Sequence, residues 1–401
     1  CMMFTLSAPA LAESTNALMQ LSINSRSSIA RLNEENSIPE DAKTLDIADG
    51  DIEVSVNAEG VQTATQGEQT YKGVFVVTGT STTSKLVIKG DSGTAAKVYL
   101  KDLNIDTSSK IRVSPVSVDG NVELIVEGNN LLRSGQYAAA LEKVGSGSLI
   151  IDGSGQLETH GAYQGAGIGG GQNADVHNIE IRGGTIIAYG GELAAGIGGS
   201  NHGSVDGITI IGGTVKAFGN TGAAAIGGQS GNVSNITITG GNITLQKRGD
   251  ASWIGTHTTE FSIDADTIKG SITYLNEDGS TNHVVEKLYD IEVENGTTDK
   301  AKAKVDEVVT VEAVKPADPG KEFSGWKIVE HKSEGKGTFA NADQETTTFT
   351  LTDSGKVTLK AMYMTPREIT VDPDTVELTK TGGQPVMTNY FAGDTVQAVA
   401  K

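Results

Sequence analysis

The sequence predicts an all-β protein organised around a right-handed parallel β-helix. Three observations carry this prediction. A block of the form Ala-Gly-Ile-Gly-Gly recurs, and its isoleucines, Ile168, Ile197, Ile226 and a worn copy at Ile254, are spaced by 29, 29 and 28 residues. A second block recurs in step with it: Asn178-Ile179-Glu180-Ile181-Arg182-Gly183-Gly184, Gly207-Ile208-Thr209-Ile210-Ile211-Gly212-Gly213 and Asn235-Ile236-Thr237-Ile238-Thr239-Gly240-Gly241. The chain holds 51 glycines but only 8 prolines, a balance that suits many tight turns between short strands rather than collagen or disorder.

Within each repeat the apolar residues alternate with polar ones, so Ile179 and Ile181 point one way and Glu180 and Arg182 the other. A run this short cannot bury its own apolar face. Stacked copies can, because Ile179, Ile208 and Ile236 then form one column, each buried isoleucine contributing roughly 1.5–3 kcal/mol. The glycine pairs leave no stretch long enough for a helical solenoid.

Weaker copies of the first strand lie upstream, at Val98–Asp102, Val122–Glu127 and Ser148–Asp152, so the β-helix is expected over residues 46–258. Residues 13–45, with Leu18, Leu21, Ile29 and Leu32, read as a leader or a cap on the open end. After Ile254 the glycine repeat stops. Residues 259–288 read as a connector. Longer alternating runs over 289–363 predict a separate small β module, and residues 366–401 read as the start of a further β domain.

The first residues, Cys1-Met2-Met3-Phe4 through Ala10-Leu11-Ala12, have the form of the end of a secretory signal, with cleavage after Ala12. That places residues 1–12 in a signal remnant and the mature protein outside the cell or on its surface. Cys1 is the only cysteine, which leaves no disulfide framework. No apolar run is long enough to span a membrane. A net charge of −19 disfavours nucleic acid and anionic membranes as partners. The protein is expected to act as a monomer.

Candidate chemistry is concentrated on the outer surface. Aligning the upstream coils by their strand ends stacks Asp102, Glu127 and Asp152, with Asn104 and Asp106 on the outward side of the same strand. Carboxylates about 4.8 Å apart repel unless a cation intervenes, and oxygen-rich clusters suit Ca2+. The alternative is a solvated acidic face with Arg182 pairing to Asp152. Tyr189 and Phe218 are 29 residues apart, follow the inward Ala188 and Ala217, and are expected to point outward, where aromatic rings pack on sugar faces. The alternative is a ladder covered by a loop or by the next module. Arg182 completes the carbohydrate-binding set as its basic member. His160, His177, His202 and His257 lack metal-ligand spacing and read as turn residues. No catalytic constellation stands out beyond Arg182 near Asp152.

Residues 70–257, through Val98–Ile105, Val122–Leu132 and the Ala-Gly-Ile-Gly-Gly blocks, resemble the carbohydrate-binding β-helix family of Gram-positive surface proteins, which includes a calcium-dependent pectin-binding member. Residues 289–363 resemble the internalin-B-type repeat, a β-grasp-like module, through Glu294-Asn295-Gly296-Thr297, Phe323-Ser324-Gly325-Trp326 and Thr346-Thr347-Thr348-Phe349-Thr350-Leu351. Residues 366–401 resemble a truncated bacterial Ig-like domain. Leu378-Thr379-Lys380-Thr381-Gly382-Gly383 lacks the proline of a sortase signal. These resemblances imply a non-catalytic polysaccharide-binding adhesin with Ca2+ as a candidate cofactor. The rival readings are a lyase or hydrolase acting on pectin-like polymers, and a structural stalk.

Overall fold

A computed structural model describes residues 36–268, 270–318, 320–353 and 355–365, together with the backbone of the strands Val376–Lys380 and Val396–Ala400. The stretch read as a signal remnant, most of that read as a leader and most of that read as Ig-like lie outside the described residues; those two strands pair antiparallel. The chain divides into two compact units at Glu286 and Lys287.

The first unit is a parallel β-solenoid of about 8 turns. Each regular coil contributes a strand to each of three faces. One coil runs through Val176–Ile181, Thr185–Tyr189 and Ile197–Gly198, and the next through Val205–Ile210, Thr214–Phe218 and Ile226–Gly227. Every strand pairs in parallel with its counterpart one turn on. The register matches the repeat. Ile179 faces Ile208, which faces Ile236, and Ile168, Ile197, Ile226 and Ile254 form a second column. Ile179, Ile181, Ile208 and Ile210 are buried in one core that runs the length of the solenoid.

Glycine makes this stacking possible at two positions in each coil. Gly213, at the corner between the first and second faces, has φ +79°, and a Cβ there would lie 2.7 Å from the Gly184 carbonyl oxygen. On the third face Gly198 has φ +130°, and a Cβ would lie 2.0 Å from the carbonyl oxygen of Gly227. No other residue fits where backbone meets backbone so closely.

Upstream, Gly128 and Gly153 turn the same corner with positive φ, but one coil turns it without glycine. In the long strand Ala96–Asp106, Leu100 and Leu103 both point inward, with Lys101 and Asp102 between them. Asp102, at φ +53°, makes the bend. The solenoid begins with the strand Lys43–Asp46, inside the stretch read as leader. The stretch read as a connector also belongs to it: Ser271–Leu275 pairs in parallel with Asn242–Gln246, and Thr281–Glu286 folds back beside it.

The second unit holds two four-stranded sheets. In one, Tyr289–Glu294 runs parallel to Val357–Met364, with Glu322–Ile328 outside the latter and Lys302–Ala303 outside the former. The other orders Gly296–Thr298, Val308–Ala313, Thr346–Leu351 and Gly337–Phe339. Ile291, Val311, Trp326, Phe349 and Leu359 form their shared core, separate from that of the solenoid.

Two outcomes follow. Ile208→Asp places a charge in the core between the buried Ile179 and the partly buried Ile236 and should cost on the order of 3–5 kcal/mol; an unchanged melting temperature would show that this register is wrong. A fragment of residues 287–365 should fold on its own core and give dispersed amide NMR signals, whereas a random-coil spectrum would refute its independence.

Candidate functional site

The second face carries the most regular outer surface. In Thr185–Tyr189 the pleat turns Ile186 and Ala188 into the core and leaves Thr185, Ile187 and Tyr189 outside. The next strand repeats the pattern with Thr214, Lys216 and Phe218. Parallel register converts each outward position into a column. One column runs Asn129, Gln156, Thr185, Thr214, Asn242, Ser271, an uninterrupted file of amides and hydroxyls. Another runs Asp106, Arg133, His160, Tyr189, Phe218, Gln246.

Three rings of that second column stack. His160 and Tyr189 have centroids 4.6 Å apart and are tilted by 15°; Tyr189 and Phe218 are 4.5 Å apart and tilted by 11°. The spacing is that of the β-ladder, so the strands themselves set the stack. Glu158 Oε1 lies 2.6 Å from His160 Nε2 and fixes the first ring. Burial, and after it the charge of Glu158, hold the Tyr189 phenol above its usual range, so it stays a neutral hydrogen-bonding group. His160 is therefore a rung of the ladder and not the turn residue expected from sequence. Its position 29 residues before Tyr189 was the available signal.

The stacking also corrects how the aromatics can act. Both faces of Tyr189 are covered, by His160 and by Phe218, so only its edge is presented. Phe218 is the last ring, and the next position holds Gln246, whose amide donates to the carbonyls of Asn276 at 3.1 Å and Glu277 at 3.0 Å. A recess of about 230 Å3 opens here, lined by Tyr189, Phe218, Asn220, Gln246, Lys247, Arg248 and Glu277. Arg248 donates to Asn220 Oδ1 at 3.1 Å and lies 3.5 Å from Glu277. Both partners of that ion pair are more than half exposed, so it contributes little to stability and leaves the guanidinium available.

A second recess, lined by Lys247, Asp250, Ser252, Trp253, His257 and Glu260 among others, lies where the repeat ends. Trp253 occupies the position held by Gly167, Gly196 and Ala225 in earlier coils. A Cβ on Gly196 would already lie 2.7 Å from Phe218 N and from Ala188 O, so a large side chain fits only where no full coil follows. The Trp253 indole N–H donates to the Leu275 carbonyl at 2.7 Å, and its ring meets Tyr274 and His283 edge to face. Lys247 Nζ stands 4.2 Å from the ring centroid. Glu260 accepts from Trp253 N at 2.8 Å and Ile254 N at 2.9 Å. Sequence reasoning passed over Trp253 as a worn copy of the repeat; the loss of a small residue at that position was the signal.

The expected acidic ladder is not one ladder. Glu127 stands opposite Lys101, and Asp152 opposite Ile125. Alignment by strand ends slipped because Asp102 is itself the bend, level with Gly128 rather than Glu127, and its Oδ1 accepts from Asn129 N at 2.9 Å. Asp152 accepts from Gly153 N at 2.8 Å and Glu127 from the Ser154 hydroxyl at 3.2 Å. Asn104 and Asp106 are on the second face, with Asp106 beside Arg133. The register therefore does not bring these five side chains together, and among the described residues no three His, Cys, Asp or Glu side chains are grouped as metal ligands. Glu127, Asp152 and Arg182 instead line a groove together with Ser154, Ile211, Asn36 and Ile38. Arg182 pairs with Glu180 at 2.6 Å rather than with Asp152, and it lies apart from Tyr189 and Phe218.

Comparison with protein-family models, curated proteins and solved structures found no match.

The end of the solenoid generates a pH prediction. Burial, with the charge of Glu260 as the smaller cause, pushes the Tyr274 phenol up from 10.0 to about 12. A phenol whose folded pKa is raised stabilises fully below its unfolded pKa and loses that contribution as pH rises through the folded one. Solenoid stability should therefore fall between pH 10 and about 12, and Tyr274→Phe should flatten part of that decline in denaturant titrations. An identical slope in the variant would refute the assignment.

Proposed function

We propose that this chain is a non-catalytic, extracellular or surface-bound polysaccharide-binding protein that engages glycan along the second face of its solenoid. The observation that carries this reading is the His160–Tyr189–Phe218 ladder, which ends in an open recess whose rim is polar. A sugar seated in this recess packs apolar C–H groups against the exposed part of Phe218 and turns its hydroxyls toward Asn220, Gln246 and Arg248. The Thr185–Thr214 column offers hydroxyls and amides at a regular pitch alongside. In the same reading the 289–363 module is an internalin-B-type, β-grasp-like repeat and the following stretch an Ig-like domain, both spacing the solenoid from whatever holds the protein.

Calorimetry against a panel of neutral and charged oligosaccharides tests the proposal. At least one glycan should bind, and Phe218→Ala should weaken it by about 10-fold, the loss of one ring-stacking contact, with the melting temperature held near that of the parent. Binding indifferent to Phe218→Ala would remove the ladder from the site. New reducing ends or unsaturated uronate products on incubation with polymer would replace the reading with that of a hydrolase or lyase.

A further inference from the structure

We propose that the Trp253 recess is a subsite for a cationic sugar residue, the ammonium of an unacetylated amino sugar taking the place over the indole that Lys247 now holds. The inference rests on the polysaccharide reading and names one chemical class of sugar for it.

The ring is a built platform. Its N–H is tied to Leu275, and Tyr274 and His283 meet it edge to face, so its orientation is fixed before any ligand arrives. The Lys247 ammonium lies 4.2 Å from the ring centroid, inside the range over which an indole face attracts a cation. Lys247 makes no ion pair among the described residues. It is a tethered cation resting on an aromatic face, held by the ring alone, and another cation can substitute for it.

The surroundings favour that substitution. Asp250 lines the same recess with its side chain 89% exposed, and Glu260 holds its carboxylate against the backbone of Trp253 and Ile254. Both charges attract an ammonium and repel a uronate, in keeping with the overall charge of −19. The other nearby cation, Arg248, is turned toward Asn220 and Glu277. Lys247 is also a wall of the Phe218 recess. Its displacement opens one recess to the other, so a sugar stacked on Phe218 and an amino sugar at Trp253 can belong to one chain.

The test compares glucosamine and N-acetylglucosamine tetramers, titrated into the full chain at a pH where the sugar amine is protonated. Heat is read by calorimetry and tryptophan emission by fluorescence. The chain has 2 tryptophans, so emission from a Trp326→Phe background reports Trp253 alone. The free-amine tetramer should bind and perturb that emission, and the acetylated one should bind about 10-fold more weakly, the worth of a partly desolvated cation–π contact. Lys247→Ala should tighten free-amine binding several-fold by removing the internal competitor, while Lys247→Arg should not. Calorimetry on the unaltered chain stands if the Trp326→Phe chain does not fold. Equal affinity for the two tetramers, or no gain with Lys247→Ala, overturns the inference. Phe218-dependent binding of neutral glycans alongside such a result would leave the polysaccharide reading in place, and the absence of any glycan binding would remove both.

Discussion

Parallel in-register stacking of equivalent residues one turn apart is the constraint on which the rest of this protein depends. It puts Ile179 on Ile208 on Ile236 and so converts strands too short to bury anything alone into one continuous core. The same register acts on the outside. Tyr189 lies on Phe218 because Ala188 lies on Ala217, with the ring spacing of 4.5 Å inherited from the ladder. Core and surface are therefore not independent. An insertion that shifted one coil would break the isoleucine column and the aromatic column together. Glycine is the permissive element, since only its missing Cβ lets Gly198 and Gly227 pass as closely as the backbone register demands.

Stacking also sets where chemistry can occur. Within the regular coils every ring has a ring or a side chain above and below, and what faces solvent is edge. Recesses open where the stack stops. The two described recesses on this side of the solenoid lie there, one beyond Phe218 and one at Trp253. A solenoid must in any case close its last coil, because an open end exposes both apolar core and unpaired strand edge. Trp253 and Tyr274 meet that need at the end of the core, and Thr281–Glu286 covers the last strand of the second face. One indole thus serves as a structural plug and as an accessible aromatic surface.

The residue pattern carried the regular part of this arrangement well. A 29-residue period is enough to align Ile168 with Ile197 and Tyr189 with Phe218, because each coil there has the same length and its corners are marked by glycine pairs. It carried the irregular part poorly, for the same reason. Upstream, the corner varies: Asp102 makes the bend in a left-handed conformation where the next coil has Gly128, and counting from strand ends put Glu127 one position and Asp152 three positions out of line with Asp102. Carboxylates shifted along their strands no longer lie one above another, so the acidic ladder did not survive. His160 was missed because its coil has no aromatic motif of its own, only the correct distance from Tyr189. Trp253 was missed because a departure from a repeat reads as decay until the structure shows that the coil it belongs to is the last.

That distinction bears on how a repetitive surface acquires specificity. Successive coils of the second face share a file of hydroxyls and amides and a short stack of rings, so on the proposed reading a polymer lying along these columns gains contacts in proportion to length with little preference for one sugar over another. Such a surface provides avidity and tolerates sliding. Discrimination requires a place unlike its neighbours, where fixed groups of mixed charge surround a defined volume. In this chain that condition is met where the repeat fails: Gln246 replaces a ring, Arg248 and Glu277 replace the plain surface, and Trp253 replaces a glycine. On the polysaccharide reading proposed above, departures from the repeat at the solenoid's end, rather than the repeat itself, are therefore the residues that would carry selectivity for one glycan over another.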